Sequence, residues 1–172
     1  TSATDQNPFE PGKTEHTPWG YFALGDYVRM LCMFRAGSPY HPGRLEPETE
    51  ERMKAALWRL VKSRDRLAGA SLDHLLTLLG TENHDLTQRP NYYLVASVLK
   101  DDPAYRDRCY DDGHTPAEHA AAYTTYFREW PRVRARIGLW IEMGSDTYQK
   151  YSWPALFNLC EESREISAGL LR

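Results

Sequence analysis

Several features that would point to common functional classes are scarce or missing in this sequence. The 172 residues carry 21 basic and 24 acidic side chains, so the formal net charge is −3. There is no overall basic excess of the kind that binds nucleic acid or anionic lipid. No apolar run is long enough to span a bilayer, and the first residues lack the basic and apolar regions of a signal peptide. We therefore expect neither nucleic acid nor a membrane as a partner.

Signals for metal ions and for phosphate-bearing cofactors are equally sparse. Cys32, Cys109 and Cys160 are too few and too scattered for a disulfide framework or a metal cluster. His114 and His119 would lie on different faces of a helix. The sequence contains no His-Glu-x-x-His or Cys-x-x-Cys pattern, no Gly-rich phosphate loop and no Gly-x-Ser-x-Gly elbow. We expect no metal and no cofactor.

What the sequence does contain is a succession of amphipathic or apolar segments separated by Gly-rich and Pro-rich breaks. With 41% hydrophobic residues, residues 1–172 predict a single all-α domain, in which the Pro-containing and Gly-containing stretch 1–17 is an extended arm. The capping box formed by Thr115 and Glu118 marks the clearest helix start. The helices are predicted over 18–35, 47–64, 72–79, a segment that ends near residue 100, 116–136 and 153–170.

Three prolines complicate these boundaries. Proline removes a backbone donor, so we expect the fourth helix either to start near Asn91 or to bend at Pro90. Pro131 should kink or stop the fifth helix, whereas Pro154 lies in the first turn of a last helix capped by Ser152. The arginines that follow Pro131 suggest a solvated helix face, and residues 138–144 suggest a buried extended segment.

The stretch 80–99 concentrates chemically capable side chains ahead of an apolar helix. Glu82, Asn83, His84, Asp85 and Arg89 all fall within its first half. An amide can hold a substrate oxygen while the neighbouring imidazole moves a proton near neutral pH. Alternatively, Asn83 and Asp85 cap the helix and His84 is an ordinary surface histidine.

Two short segments carry a resemblance to a known family. Gly-Thr-Glu-Asn-His-Asp at 80–85 precedes a Tyr-Tyr-Leu helix, and Gly-Ser-Asp-Thr-Tyr-Gln-Lys-Tyr-Ser-Trp-Pro-Ala-Leu follows at 144–156. In this order, over about residues 72–171, they resemble the α/α-toroid polysaccharide lyases, which include alginate lyases. The resemblance implies antiparallel helical hairpins that form part of an (α/α) toroid. Because six or so helices make only an arc of such a ring, we expect a fragment or a small version of it, with the rest of the toroid as a partner of a fragment.

The resemblance also implies roles for individual residues. The family's catalytic Asn and His fall on Asn83 and His84, and its Tyr falls on Tyr148, with Tyr151 as a competing match. An Arg that often precedes this Tyr in alginate lyases is missing, since Leu139, Ile141 and Glu142 occupy the region. The implied activity is β-elimination on an acidic, uronic acid-containing polysaccharide by a secreted or periplasmic enzyme. Substrate binding is assigned to the remaining nearby polar groups: Glu82, Arg89, Glu142 and Tyr151.

Two other functions fit the same residues. A glycoside hydrolase on a related toroid could use two of the carboxylates of Glu82, Asp85, Glu142 and Asp146 as acid and base. A non-catalytic helical domain that binds carbohydrate or serves as a scaffold could use exposed tryptophans for stacking, although tryptophans at apolar helix positions usually belong to the core. The tryptophans concerned are Trp19, Trp58, Trp130, Trp140 and Trp153.

Overall fold

The structure, a computed structural model, describes residues 20–137, 141–163 and 166. Within this part of the chain the regular elements are all helical, which confirms the all-α class. The predicted extended arm, residues 1–17, lies outside the described residues. The α-helices that the structure describes with both bounds are α1 (Leu24–Phe34), α2 (Pro47–Val61), α3 (Glu82–Leu99), α4 (Pro116–Ile137) and α5 (Asp146–Glu162). The described residues also include short 3₁₀ turns, ahead of α1 at Gly20–Ala23 and between helices at Leu67–Ala70, Leu72–His74 and Ile141–Gly144.

Helix α3 is the central element of the bundle. It packs mainly against α5 and α4 and also contacts α1 and α2. Of its 18 residues, 15 are buried, so neighbours cover nearly its whole circumference. A helix surrounded in this way needs partners for its polar side chains as well as for its apolar ones.

Contacts between α3 and α4 show that these two helices are antiparallel. Arg134, near the end of α4, lies 4.0 Å from Glu82 at the start of α3. One turn or more further in, the Arg89 guanidinium lies over the Tyr126 ring, 5.2 Å from its centroid. Residue numbers therefore increase along α3 in the direction in which they decrease along α4, as in an antiparallel helical hairpin.

Helix α5 runs parallel to α3, because their beginnings and their ends meet. The backbone N–H of Asn83 bonds to Glu142, just before α5, and the Tyr93 hydroxyl lies 2.9 Å from Ser163 Oγ, just after it. At the other end of the bundle, Lys54 in the middle of α2 pairs with Asp102, which follows α3. Helices α3, α4 and α5 therefore alternate in direction. The further prediction that such hairpins belong to an (α/α) toroid stays a prediction.

All three prolines lie inside helices, which rules out a helix start near Asn91 and a stop at Pro131, while the predicted end of the fifth helix near residue 136 agrees with the end of α4 at Ile137. Helix α3 begins at Glu82 and continues through Pro90. Two backbone carbonyls near this proline accept hydrogen bonds from side chains. Asn91 Nδ2 donates to the Thr87 carbonyl, and Gln88 Nε2 donates to the His84 carbonyl. Helix α4 continues through Pro131, and α5 begins seven residues earlier than predicted and includes Pro154.

Three further expectations were wrong at the level of local structure. The predicted helix over 72–79 is a single 3₁₀ turn followed by irregular chain, and Ser71 caps it by accepting from the Asp73 N–H. The segment expected to be extended contains the 3₁₀ turn Ile141–Gly144, and residues 138–140 lie outside the described residues. Ser152 does not cap α5; it lies inside that helix, where its hydroxyl donates to the Tyr148 carbonyl.

Aromatic rings make up much of the core between α3 and α4. Phe127 lies at the centre of this group, in contact with the rings of Tyr93, Tyr123, Tyr126 and Trp130. Among the predicted sugar-stacking tryptophans, Trp58 and Trp130 are buried and Trp153 is exposed, while Trp19 and Trp140 lie outside the described residues. None of the described helices combines the length and apolarity needed to cross a membrane.

Candidate functional site

Most of the side chains singled out by the sequence lie where α3 and α5 begin. Thr81 is the N-cap residue of α3 and has extended backbone angles, and Asn83 and His84 lie in the first turn of that helix. Gly80 makes the preceding turn with a φ of +84°, a region that favours glycine. A Cβ atom at Gly80 would lie 3.3 Å from His84 Nδ1, so the His84 ring packs directly over this glycine.

The His84 ring is half-buried and shares a neighbour with Tyr151. The Phe22 ring meets the His84 ring edge to face with centroids 5.5 Å apart, and its centroid lies 5.0 Å from that of Tyr151. One aromatic side chain thus separates the imidazole from the phenol. Lys150 Nζ lies 5.1 Å from the centroid of the Tyr151 ring, so its positive charge is close to this ring.

Asn83 is buried in the bundle. Its side-chain carbonyl accepts a short hydrogen bond from the Thr81 hydroxyl, and its backbone carbonyl accepts from Thr87 Oγ1 at 2.6 Å. Because the carbonyl oxygen of the amide is occupied, the NH₂ group is the part of this side chain that can donate to a substrate oxygen.

Glu82 and Glu142 form a reciprocal pair of hydrogen bonds. The backbone N–H of Glu142 donates to Glu82 Oε2 at 2.7 Å, and the backbone N–H of Asn83 donates to Glu142 Oε2 at 2.6 Å. Glu82 is only 5% exposed, and its other oxygen lies 4.0 Å from Arg134. Both carboxylates therefore bind main-chain amides of this protein.

Tyr148 lies in the first turn of α5. It shares a helix face with Ser152, Ala155 and Leu159, at i+4, i+7 and i+11, and those three residues are buried in the bundle. Tyr148 itself is 42% exposed. Its side chain thus lies on the side of α5 that faces the bundle, at the end of the bundle where α3 and α5 begin. We name the residues at this end the α3/α5 site: Phe22, Glu82, Asn83, His84, Glu142, Tyr148 and Tyr151.

Arg89, the remaining predicted substrate-binding residue, lies inside the bundle. It is 1% exposed, pairs with Asp85, and donates to the carbonyls of Gly69 and Thr77. Burial raises the pKa of Asp85, although the nearby positive charge of Arg89 opposes this effect. These contacts tie the irregular segment before α3 to the helix. The structure does not bring Arg89 together with the other predicted site residues.

Sequence reasoning missed two members of this neighbourhood. Phe22 carries no group that a search for chemically capable residues selects, and Arg134 belongs to the arginines predicted to form a solvated face. Arg132 and Arg136 are indeed exposed, but the Arg134 side chain is only 11% exposed. A signal was present, because residues spaced two apart point to opposite sides of a helix. Of the three arginines, the middle one had to face away from the other two.

A second polar cluster, the His119 cluster, lies between α4 and the loops that follow α2 and α3. Nδ1 of His119 lies 2.8 Å from Asp65 and Nε2 lies 3.3 Å from Asp112, while the Tyr123 hydroxyl donates to Asp65 at 2.7 Å. Burial alone would lower the pKa of His119, but the hydrogen bonds and charges of the two aspartates raise it. The His119 side chain is fully buried, so no substrate reaches it.

A cavity of about 380 Å³ lies at the opposite end of the bundle, where α1 and α3 end. Cys32, Arg35, Tyr93 and Glu162 are among its lining residues. Burial raises the pKa of the Cys32 thiol to about 12, so this thiol stays protonated near neutral pH and is a poor nucleophile. We therefore place the candidate chemistry at the α3/α5 site.

Comparisons with family models, with curated proteins and with solved structures found no match to this chain.

Proposed function

We propose that this protein cleaves an acidic, uronic acid-containing polysaccharide by β-elimination, with Asn83, His84 and Tyr148 as the reacting groups. The observation that carries the proposal is the contact of His84 and Tyr151 with the same ring, that of Phe22. This contact joins the start of α3 to the start of α5, where Tyr148 also lies. An imidazole, an amide and a phenol are thereby grouped at one end of the bundle, where the His84 and Tyr148 side chains are partly exposed.

Each group has one task in the elimination. The Asn83 NH₂ group donates to the uronate carboxylate and stabilises the negative charge that develops there. His84 takes the proton from C5, and the electrons of that C–H bond form the C4=C5 double bond as the C4–O bond breaks. Tyr148 gives its proton to the departing glycosidic oxygen. No water is added, and the two protein groups return to their starting states by proton exchange with solvent.

Arginines on α4 support an acidic substrate. Arg128, Arg132 and Arg136 recur at every fourth position, and all three are exposed. They form a basic stripe on one side of the helix, although Arg132 also pairs with Glu129 at 3.1 Å. Because α4 ends next to Glu82, this stripe leads toward the α3/α5 site. Positive charge along such a path attracts a polyanion, in a manner that weakens as salt is added.

The hydrolase alternative receives less support from the same residues. Hydrolysis generally uses two carboxyl groups that flank the glycosidic bond. Glu82 and Glu142 are occupied by backbone amides, and Asp85 is buried against Arg89. Asp146 remains as an exposed carboxylate in the first turn of α5.

The test is a product assay with alginate, hyaluronan and pectate. We expect ultraviolet absorbance from a new C4=C5 double bond, with one new reducing end for each bond broken. Reducing ends without this chromophore would contradict elimination and favour the hydrolase. Binding to a polysaccharide without either product would favour the non-catalytic carbohydrate-binding function.

Tyrosine variants assign the proton donor. Tyr148→Phe should lower kcat by about 10²-fold or more, as for loss of a general acid. Tyr151→Phe keeps the ring that packs on Phe22, so we expect it to retain most of the activity. The opposite ranking of the two variants would make Tyr151 the donor.

A further inference from the structure

The reciprocal hydrogen bonds between Glu82 and Glu142 connect two segments that are about sixty residues apart in sequence. Glu82 opens α3, and Glu142 lies in the 3₁₀ turn that leads into α5. Each carboxylate accepts from a backbone N–H of the other segment, at 2.7 Å and 2.6 Å. We call this pair of residues the carboxylate brace.

The amides that the brace binds are those that a helix leaves without internal partners. Asn83 is the second residue of α3 and Glu142 is the second residue of its 3₁₀ turn, so neither N–H has a carbonyl one turn earlier in its own helix. A carboxylate at such an end also meets the positive end of the helix dipole. Hydrogen bonds that involve a charged group are stronger than neutral ones. The brace therefore fastens the two helix beginnings firmly to each other.

Backbone hydrogen bonds carry this connection from Glu142 to Tyr148. The Ser145 N–H donates to the Glu142 carbonyl at 3.0 Å, and the Tyr148 N–H donates to the Ser145 carbonyl at 3.2 Å. Asn83 and His84 lie on one side of the brace and Tyr148 lies on the other. Movement at the brace would change the distance between these groups.

We infer that Glu82 and Glu142 are positioning residues, which hold Tyr148 in place relative to Asn83 and His84 and do not contact the substrate. This inference rests on the proposed function. It also replaces the substrate-binding role that the sequence suggested for both glutamates. One Glu82 oxygen accepts from the Glu142 N–H and the other lies 4.0 Å from Arg134, so both already have partners within the protein. Carboxylates would also repel an acidic sugar.

The test compares a variant that loses only the negative charge with a variant that also loses the hydrogen-bond acceptor. In Glu142→Gln the side-chain oxygen can still accept from the Asn83 N–H, whereas Glu142→Ala removes the acceptor. We expect Glu142→Gln to keep kcat within about threefold of the unmodified chain. Glu142→Ala should lower kcat by about 10²-fold, since misplacement of reacting groups by about 1 Å costs that much. The KM and the pH profile of the remaining activity should change little.

Two outcomes in these assays would overturn the inference. If Glu142→Gln is as impaired as Glu142→Ala, the negative charge itself is required. If Glu142→Ala raises KM with kcat unchanged, Glu142 is a substrate ligand. Glu129→Ala serves as the control, because Glu129 is a half-buried carboxylate on α4 that pairs with Arg132. That control should leave kcat unchanged.

A measurement without substrate separates this inference from the proposed function. In NMR spectra, the Tyr148 amide and ring signals should move in Glu142→Ala and in Glu82→Ala but stay near their original positions in Glu142→Gln. If this pattern holds while no polysaccharide is cleaved, the brace positions α5 and the proposed reaction is wrong. If the Tyr148 signals are the same in all three variants, the brace does not position Tyr148, whatever the activity.

Discussion

The His119 cluster and the α3/α5 site both combine a histidine with carboxylates and tyrosines, yet they differ in access to solvent. His119 is fully buried, with an aspartate at each ring nitrogen. His84 is half-buried against Phe22, and Tyr148 and Tyr151 beside it are 42% and 38% exposed. The more complete hydrogen-bond network is thus the one that no substrate can enter. Geometry that resembles catalysis indicates function only where a reacting molecule fits beside it.

The cost of losing each histidine should also differ. Removing one partner from a buried ion pair leaves an uncompensated charge, whereas removing a half-exposed ring leaves room for water. Variants at the two positions therefore separate a structural histidine from a chemical one.

The largest effect should follow from His119→Ala. Asp65 and Asp112 would lose their shared cation, so we expect the free energy of unfolding to fall by about 3 to 5 kcal/mol. Urea denaturation followed by circular dichroism measures this change. His114→Ala is the matched control, since His114 is 41% exposed and lies 3.5 Å from Glu118, and it should cost less than about 1 kcal/mol. A similar loss in both variants would contradict a special role for the His119 cluster.

His84→Ala should show the opposite pattern. We expect the rate of elimination to fall by about 10² to 10⁴-fold, as for loss of a general base. The free energy of unfolding should change by only about 0.5 kcal/mol, because the ring is partly exposed. Initial rates from the ultraviolet assay and urea denaturation of the same preparation test both parts. A large loss of stability would make His84 a structural residue like His119.

Gly80→Ala should lower both the stability and the rate of elimination, each by an intermediate amount. The positive φ disfavours any Cβ, and the new methyl group would press on the His84 ring. We expect a loss of about 1 to 2 kcal/mol of stability, together with lower activity from a displaced imidazole. Gly37→Ala is the control, since its Cβ would meet no atom within 4 Å. Equal stability and activity for Gly80→Ala and Gly37→Ala would show that the turn does not hold His84.

The smallest effect should appear as a pH dependence of stability. The raised pKa of His119 means that its stabilising charge is fully present below the ordinary value of 6.5 and is lost as the pH rises through the folded-state value. Burial acts to raise the pKa of Asp112, but hydrogen bonds from Leu67, His114 and His119 lower it, so its contribution is lost in acid, below 3.8. We expect stability to decline on both sides of this range.

Denaturation of His119→Ala over the same pH range provides the comparison. The alkaline decline should be absent in this variant and present in His84→Ala. An unchanged alkaline decline in His119→Ala would assign the titration to another group.

The helical class and several boundaries could be predicted because they depend on local chemistry. Thr115 and Glu118 form the predicted capping box, with the Thr115 N–H donating to Glu118 and the Glu118 N–H donating to Thr115 Oγ1. The break after α1 and the end of α3 at Lys100 were also predicted from glycine, proline and polar residues close by. Such signals act within one or two turns, so the sequence alone contains them.

The prolines show where local reasoning failed. Pro90 weakens an isolated helix, but here α3 is enclosed by four other helices and Asn91 donates to a carbonyl one turn earlier. Packing energy that depends on the whole bundle exceeds the local cost of the proline. The same reason explains why α5 begins at Asp146 and carries Tyr148 within its first turn.

The sequence by itself determined that the chain is all-α, with a helix that ends near residue 100. It allowed a start near Asn91 as well as a bend at Pro90, and only the structure places Asn83 and His84 in the first turn of α3. Only the tertiary structure decided which distant side chains meet them: Phe22 at His84, Glu142 at Asn83 and Arg134 at Glu82. Only the tertiary structure showed that Arg89 lies outside the site, because its side chain is buried against Asp85. Capping and periodicity are set by neighbours along the chain, whereas burial and long-range hydrogen bonds depend on how all five helices pack.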